Sequence, residues 1–419
     1  MFVDGAEYLE RRNTPFVAPD VTYKELRAAI PPELYEKSTL KGLFYFFQDV
    51  LTVCALYALC LRIDWFSENL TTGLELSSLL SVALYSLLWL TYWVAQSIAM
   101  AGCWCLGHEA GHGNVSKYGV INDGLGYFLH TCLLTPYFAW KSSHHTHHRT
   151  VGSIERDENY VPRTRSELGL TTPEQLHEMF EETPLYTLGR MLVMQLLGFQ
   201  AYLLFNTMGC PRDPPGTNHF SPSSVLFKKK EYYKIVASNV GLLLFSLLLA
   251  QYSSKYGFAA LVKHYIVPYL LCHHWIVMLT FLHHSDPTIP HYREQKWTFL
   301  RGALATVDRP LLGFIGRMYF HNVSHDHIGH HLFTSIPFYN QPLVTEKIKD
   351  VLKEHYNYDS TNSFYALYRS FTECCFIEDD GDIVFYKNKH TKAARVLAAD
   401  EPSPHWHSAT DSMKQTPKI

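Results

Sequence analysis

LSSLLSVALYSLLWLTYWVAQSIAMAGCWCLGHEAGH, residues 76–112, has no acidic or basic side chain before the closing HEAGH. Its apolar part, 76 to 106, is long enough to cross a bilayer hydrocarbon core of about 30 Å. It runs straight into His108-Glu-Ala-Gly-His112, and on a helix those two imidazoles fall at i and i+4, on one face. The segment reads as a membrane helix that carries a pair of metal ligands at its end.

The pairing recurs twice downstream. His144-His-Thr-His-His148 places His144, His147 and His148 at i, i+3 and i+4, and His327-Ile-Gly-His-His331 does the same with His327, His330 and His331. Eight imidazoles from three segments exceed the four ligands of a tetrahedral zinc site and suit two metal ions with open positions. Imidazole ligation alone leaves Fe, Zn, Cu and Ni open. Two divalent ions on neutral imidazoles carry a net positive charge, so carboxylates belong nearby; Glu109, Glu155, Asp157 and Asp326 are the candidates. His130, His177, His219 and His264 stand outside the clusters and read as ordinary packing residues.

His108-Glu109-Ala-Gly-His112 also fits the HExxH pattern of zinc proteases, with Glu109 as general base. That reading needs one further ligand, leaves the other clustered histidines without a purpose, and puts the helix-weakening Gly111 into the catalytic helix. A purely structural membrane protein gives no reason for the clusters at all.

With 47% hydrophobic and 18% charged residues among 419, a net charge of −3 and a mean hydropathy of −0.08, the chain averages like a soluble globule and offers no basic surface to nucleic acid. The averages conceal strongly apolar spans at about 43–61, 76–106, 235–250 and 258–282. Weaker apolar stretches at 119–140 and 188–208 are broken by Asn122, Asp123, Pro136 and Arg190 and read as interfacial or re-entrant. The expected fold is an all-α integral membrane protein with four transmembrane helices: an N-terminal arm over 1–42, a membrane domain over 43–386, and a disordered tail over 387–419. Arg11, Arg12, Lys24, Arg27, Lys37 and Lys41 in the arm, against Arg62 alone in the loop 62–75 and Lys255 alone in 251–257, put the N-terminus in the cytosol. Four crossings then bring 104–234 and everything after 283 to the same side, so all three clusters and the C-terminus are expected there. The nine cysteines fall mostly in or beside apolar spans and read as free thiols. The polar, proline-containing first forty residues do not read as a cleavable signal.

Taken together, HEAGH, WKSSHHTHH followed by GSIERDENYVPRTR, FLHHSDPTIPHY, RGALATVDRP and HNVSHDHIGHHLF resemble the membrane fatty-acid desaturases, specifically the fungal Δ12 (oleate) type, from about Thr22 to Asn388. The resemblance implies a cytosolic helical cap over the four spans. Within it a di-iron centre is held by His108, His112, His144, His147, His148, His327, His330 and His331. An additional histidine near the end of the fourth span is matched to His284, with His321 as its rival; Glu109, Asp157 and His321 are expected beside the ligands. The implied activity is removal of two hydrogens from adjacent methylenes of a fatty-acyl lipid, carried on phospholipid or coenzyme A, to turn oleoyl into linoleoyl at the expense of O2 and two external electrons.

The chain contains no HPGG haem segment, no GxGxxG fingerprint and no ferredoxin-like cysteine set. The resemblance therefore implies cytochrome b5 and its reductase as donors, an endoplasmic-reticulum membrane, and the basic patch Lys141, Arg149, Arg156, Arg163 and Arg165 as a docking surface. The chain departs from the usual pattern at Ala110, where relatives carry Cys, and at His145 and Thr146, where many carry basic residues. In the superfamily such changes accompany ω3 desaturation, acetylenic-bond formation or hydroxylation.

Overall fold

Helices with no polar face must lie against lipid or against one another, and this chain does both. The computed structural model describes residues 3–170 and 183–398. In chain order the helices are α1 (Ala6–Asn13), α2 (Tyr23–Ala29), α3 (Thr39–Cys60), α4 (Ile63–Gly73), α5 (Ser78–Gly111), α6 (Gly119–Thr131), α7 (Tyr137–Thr150), α8 (Pro184–Phe205), α9 (Tyr232–Tyr256) and α10 (Phe258–His284). They continue with α11 (Phe299–Ala303), α12 (Gly313–Tyr319), α13 (His327–Leu332), α14 (Gln341–Leu352) and α15 (Ser363–Glu373). One short antiparallel ladder pairs β1 (His291–Tyr292) with β2 (Ile383–Val384), His291 opposite Val384.

α5 organises the rest, packing against α10, α6 and α3. Its first half is largely lipid-facing in character, with Leu79, Leu80, Leu87 and Leu90 exposed, whereas every residue from Ala99 to Gly111 is buried. The same helix thus passes from the apolar exterior into the core, where Met100, Trp104 and Leu106 meet Trp275, Ile276 and Met278 of α10. Gly107 permits the approach of α6, since a Cβ there would collide with the His130 ring. α10 contains a π turn at Val262–Ile266. The carbonyls displaced by that turn are met from α5: Trp93 Nε1 donates to Lys263 O and Tyr92 Oη to His264 O, each at 2.9 Å.

Five helices among the described residues are long and apolar enough to cross a membrane, one more than the sequence reading gave. The addition is α8, read from sequence as interfacial or re-entrant because of Arg190. That arginine stands in the second turn of α8, and the remainder of the helix is uncharged and mostly apolar, broken by Gln195 and Gln200. The stretch 119–140 is instead divided at Pro136 between α6 and α7. Asn122 is consumed locally, its Oδ1 accepting from the backbone N–H of Val115 and Ser116 at 3.1 and 2.9 Å.

The disorder expected from residue 387 onward is not found over 387–398. Lys387 N–H donates to Phe376 O at 2.8 Å, Phe16 N–H to Val396 O at 2.8 Å and Ala398 N–H to Phe16 O at 3.0 Å. Polar composition hides this docking because it is made by backbone groups and by Arg395, whose guanidinium lies over the Phe16 ring. Residues 399–419 and His177 lie outside the described residues.

The two ends also meet in a buried ion network. Arg309 donates to Asp286 and Asp359 at 2.5 Å each, and Arg369 donates to Asp359 at 2.6 Å and to Asp4 at 2.5 Å. Arg11 donates to Thr288 Oγ1 at 3.1 Å. Burial alone would raise the Asp359 carboxyl, but Arg309 and Arg369 outweigh it and hold the group well below the usual carboxylate range. Its contribution to stability is therefore present above the ordinary carboxylate pKa and is lost as pH falls toward the depressed one. Replacing Asp359 by Ala takes a shared carboxylate from two buried guanidinium groups, leaving Arg309 with Asp286 and Arg369 with Asp4, and is expected to cost about 3 kcal/mol. A lowered thermal midpoint by circular dichroism in detergent checks this; a midpoint equal to wild type refutes the network's role.

Candidate metal centre

Each histidine cluster is delivered by a helix end. His108 lies in the last turn of α5 with His112 capping it; His144, His147 and His148 lie in the last two turns of α7; His327, His330 and His331 occupy α13. His284 ends α10. All nine side chains are buried.

They converge as two groups. His108, His112, His144, His148 and His330 form one, and His147, His284 and His331 the other, with all potential ligand atoms inside each group within 4.8 Å of one another. His327 joins the second, its Nε2 being 3.0 Å from that of His284 and 3.1 Å from that of His331. The groups abut where His148 stacks on His331, centroids 4.1 Å apart.

The nitrogen chemistry fits cations. His144 Nε2 lies 3.1 Å from His112 Nε2 and 3.0 Å from His148 Nε2. A neutral imidazole has one N–H, so three such nitrogens facing one another cannot all be satisfied by hydrogens between them. His330 Nε2 is buried with no hydrogen-bond partner among the described residues. Burial first, then the neighbouring histidines, push His112, His144, His148, His327 and His331 well below the ordinary histidine pKa, while burial takes His330 down to about 3. Neutral imidazoles with inward lone pairs are the form that binds transition metals.

The rear nitrogens are held selectively. His147 Nδ1 lies 2.7 Å from Asp157 Oδ1, whose other oxygen accepts from Gly152 N–H at 2.9 Å. Glu109 Oε1 lies 3.1 Å from His108 Nδ1 and 3.4 Å from His330 Nδ1, and its Oε2 accepts from Asn114 at 3.0 Å. This carboxylate is thus turned to the backs of two imidazoles, which is not the position of a general base acting on a water in front of them.

His321 belongs to neither group. Its Nε2 is 2.6 Å from Asp49 Oδ2 of α3, so it braces the neighbourhood without approaching the imidazole lone pairs. Two other sequence candidates also point elsewhere: Glu155 pairs with Arg293 at 3.8 Å and Asp326 with Arg317 at 2.9 Å. His145 also stands apart, its Nε2 3.1 Å from Gly111 O.

Asp308, in the quoted RGALATVDRP, was not singled out. It accepts from Ile328 N–H at 2.8 Å and from the Tyr356 hydroxyl, fixing the start of α13; burial, then Asp326, push it up to about 8. His283, adjacent to His284, donates from Nδ1 to Val307 O and stacks on His327 with centroids 4.1 Å apart.

A cavity of about 120 Å³ opens onto both groups. His108, His144, His147, His284 and His327 reach it, and its other walls are chiefly apolar, including Phe199 and Met194 of α8 and Ile276 and Val277 of α10. Trp140 stacks on His144, centroids 4.4 Å apart, and lines this cavity. The arrangement can press an apolar substrate directly against a metal centre.

A family model for fatty acid desaturases matches residues 87–362. The chain belongs to the fatty acid desaturase family. As a desaturase it is an oxidoreductase, in keeping with a histidine-rich centre at the end of an apolar cavity. This desaturase is 38% identical to a Δ12 fatty acid desaturase of Mortierella alpina over 88% of its own length and 91% of that relative. It is 36% identical to an oleate hydroxylase of Claviceps purpurea, over 94% and 86% of the two chains. It is 33% identical to an endoplasmic-reticulum omega-6 fatty acid desaturase of Brassica juncea, over 90% and 94%.

Asp157→Asn keeps the shape but removes the charge behind His147, and is expected to lower metal affinity by about 10–100-fold. Metal analysis of purified protein by mass spectrometry after chelator challenge tests this; retention equal to wild type contradicts the assignment. In the same assay His148→Ala is expected to lose metal while His145→Ala keeps it, and equal losses would mean that the grouping is wrong.

Proposed function

We propose that this desaturase inserts a cis double bond at Δ12 of a fatty-acyl chain, converting oleoyl to linoleoyl. The carrying observation is the apolar cavity ending on two imidazole groups, in a chain whose relatives include a Δ12 desaturase over nearly their whole lengths.

The residues fit two iron ions, one held by His108, His112, His144, His148 and His330 and the other by His147, His284, His331 and His327. When bound, and supplied with O2 and two external electrons, the irons provide the oxidising power to take two hydrogens from unactivated carbons. The protein's own part is placement. A methylene run offers no hydrogen bond by which one carbon could be told from the next, and each buried CH2 contributes only about 0.8 kcal/mol wherever it lies. Selection therefore falls to the shape of the walls near His144, His147 and His284. Trp104, Phe199 and Ile276 exclude water from the reacting region. Asp157 keeps the His147 Nδ1 proton in place, so that Nε2 faces inward as a lone pair.

Four crossings are the topology that this site supports. His147 precedes α8, α9 and α10, and His284 follows them, yet the two rings lie 4.7 Å apart. An even number of crossings must separate them; α9 and α10 supply two, which leaves α8 to lie against α10 without traversing the bilayer. With the basic N-terminal arm in the cytosol, the centre is cytosolic and forms a helical cap. The Brassica relative's name supports an endoplasmic-reticulum membrane.

The electrons are assigned to cytochrome b5 and its reductase. The proposed docking patch is narrower than its composition implies, because Lys141 and Arg165 are paired with Asp123 at 2.6 Å and Glu378 at 2.7 Å. The hydroxylase relative, similar to nearly the same degree, makes 12-hydroxylation of the same acyl chain the second reading.

Expression in a yeast that makes oleate but no linoleate decides between them. Gas chromatography–mass spectrometry with double-bond localisation is expected to find linoleate with the wild type and none with His147→Ala. A hydroxylated product assigns the chain to the second reading, and a bond elsewhere overturns the Δ12 position.

A further inference from the structure

Tyr160 stands in left-handed backbone, φ +55°, without the freedom of a glycine to adopt it. The turn is imposed by Asp157, whose Oδ1 accepts from Asn159 N–H at 3.2 Å as well as facing His147. Val161 N–H in turn donates at 3.0 Å to the carbonyl of Met208, which is itself left-handed at φ +61°. Two unfavourable turns are thus clasped together, and both Tyr160 and Met208 line the cavity. Such conformations persist where surrounding structure over-determines them, and they cluster at functional sites.

The ring has a defined place. It lies parallel to the His284 imidazole, 16° between planes and 6.1 Å between centroids, with Phe281 at 5.9 Å. Its hydroxyl is 2.6 Å from Thr280 Oγ1. Thr280 spends its own hydrogen on Ile276 O at 2.8 Å, so the phenol must be the donor between them. Both hydroxyls are then satisfied, and neither presents an unpaired donor to an apolar ligand. Trp104 and Trp140 also lie flat on cluster imidazoles, but they ride on helices. Tyr160 rides on a loop and depends on one hydrogen bond to α10.

We propose that Tyr160, fixed by Thr280, is a positioning residue that sets which methylenes of the acyl chain face the imidazole groups. The inference rests on the fatty-acyl reading above. It assigns the regiochemical accuracy of the reaction to a phenol ring held against His284, with the hydroxyl acting through the ring's orientation and never on the substrate. Thr280→Val leaves the phenol donor stranded in an apolar wall and frees the ring to turn. Tyr160→Phe removes donor and tether together and disturbs the ring less.

The test is the product distribution of wild type, Tyr160→Phe, Thr280→Val and Tyr160→Leu in the same yeast. The quantity read is the share of modified acyl chains whose double bond or hydroxyl lies away from the wild type's main position. That share is expected to rise roughly tenfold in Thr280→Val and Tyr160→Leu and by less in Tyr160→Phe, since a misplacement of about 1 Å changes the rate at a given carbon by up to about 100-fold. Shares equal to wild type in Tyr160→Phe and Thr280→Val, whatever the total yield, overturn the inference. A wild-type main product other than linoleate sinks the Δ12 assignment alone, because the shares are measured against the wild type's own product. If Tyr160→Leu accumulates no protein, the two conservative variants decide.

Discussion

A nitrogen lone pair buried without a proton or a cation to face is costly, and this protein gathers nine imidazoles into a dry interior where they must remain neutral. The rest of the molecule answers that constraint. α5 abandons its lipid-facing character halfway along, so that its end can be enclosed; α10 brings His284 in from the other side; and the cap supplies α13 under Asp308. Ions at the two foci would relieve the repulsion among lone pairs, and metal occupancy would then be coupled to the stability of the cap.

The means of support is unusual in its reliance on flat rings. Carboxylates stand behind His147, His108 and His330. Elsewhere stacking does the orienting: Trp140 on His144, Trp104 on His108, His283 on His327 and Tyr160 on His284. Stacking fixes the plane of an imidazole and excludes water at the same time. It also places Trp104, Trp140 and Tyr160 in the wall of the cavity, so support of the imidazoles and the shape of the cavity are not separable properties here. On the fatty-acyl reading, that coupling gives a physical reason why a desaturase and a hydroxylase can be similar over most of their lengths: a small change in a wall would move the acyl chain against an unchanged set of imidazoles.

The three clusters were legible in the sequence because i, i+3 and i+4 spacing is a local property, and the long spans because lipid demands continuous apolar length. His284 was legible only through the family resemblance, since a lone HH pair carries no spacing signal. The helical length of α8 was not legible, because an arginine was counted as a break irrespective of where along the helix it stands; Arg190 lies in its second turn, and the residues after it carry no charge. The cavity was not legible at all. Trp104, Met194 and Val277 meet there from segments remote in the chain, and no local pattern marks residues whose shared property is the space between them. Asp308 and the docked segment 387–398 escaped for a related reason, because their partners are backbone groups supplied by tertiary structure.

The clasp between the first and last described segments bears on how the protein is made. Synthesis is vectorial, and the N-terminal arm leaves the ribosome long before Asp359, Arg369 and Val396 exist to receive it. Until then Asp4 lacks Arg369 and Phe16 lacks Val396, and the arm cannot dock as it does in the folded chain. The arm that the chain makes first is thus among the last parts to be secured, after residues 359–396 have followed it out of the ribosome.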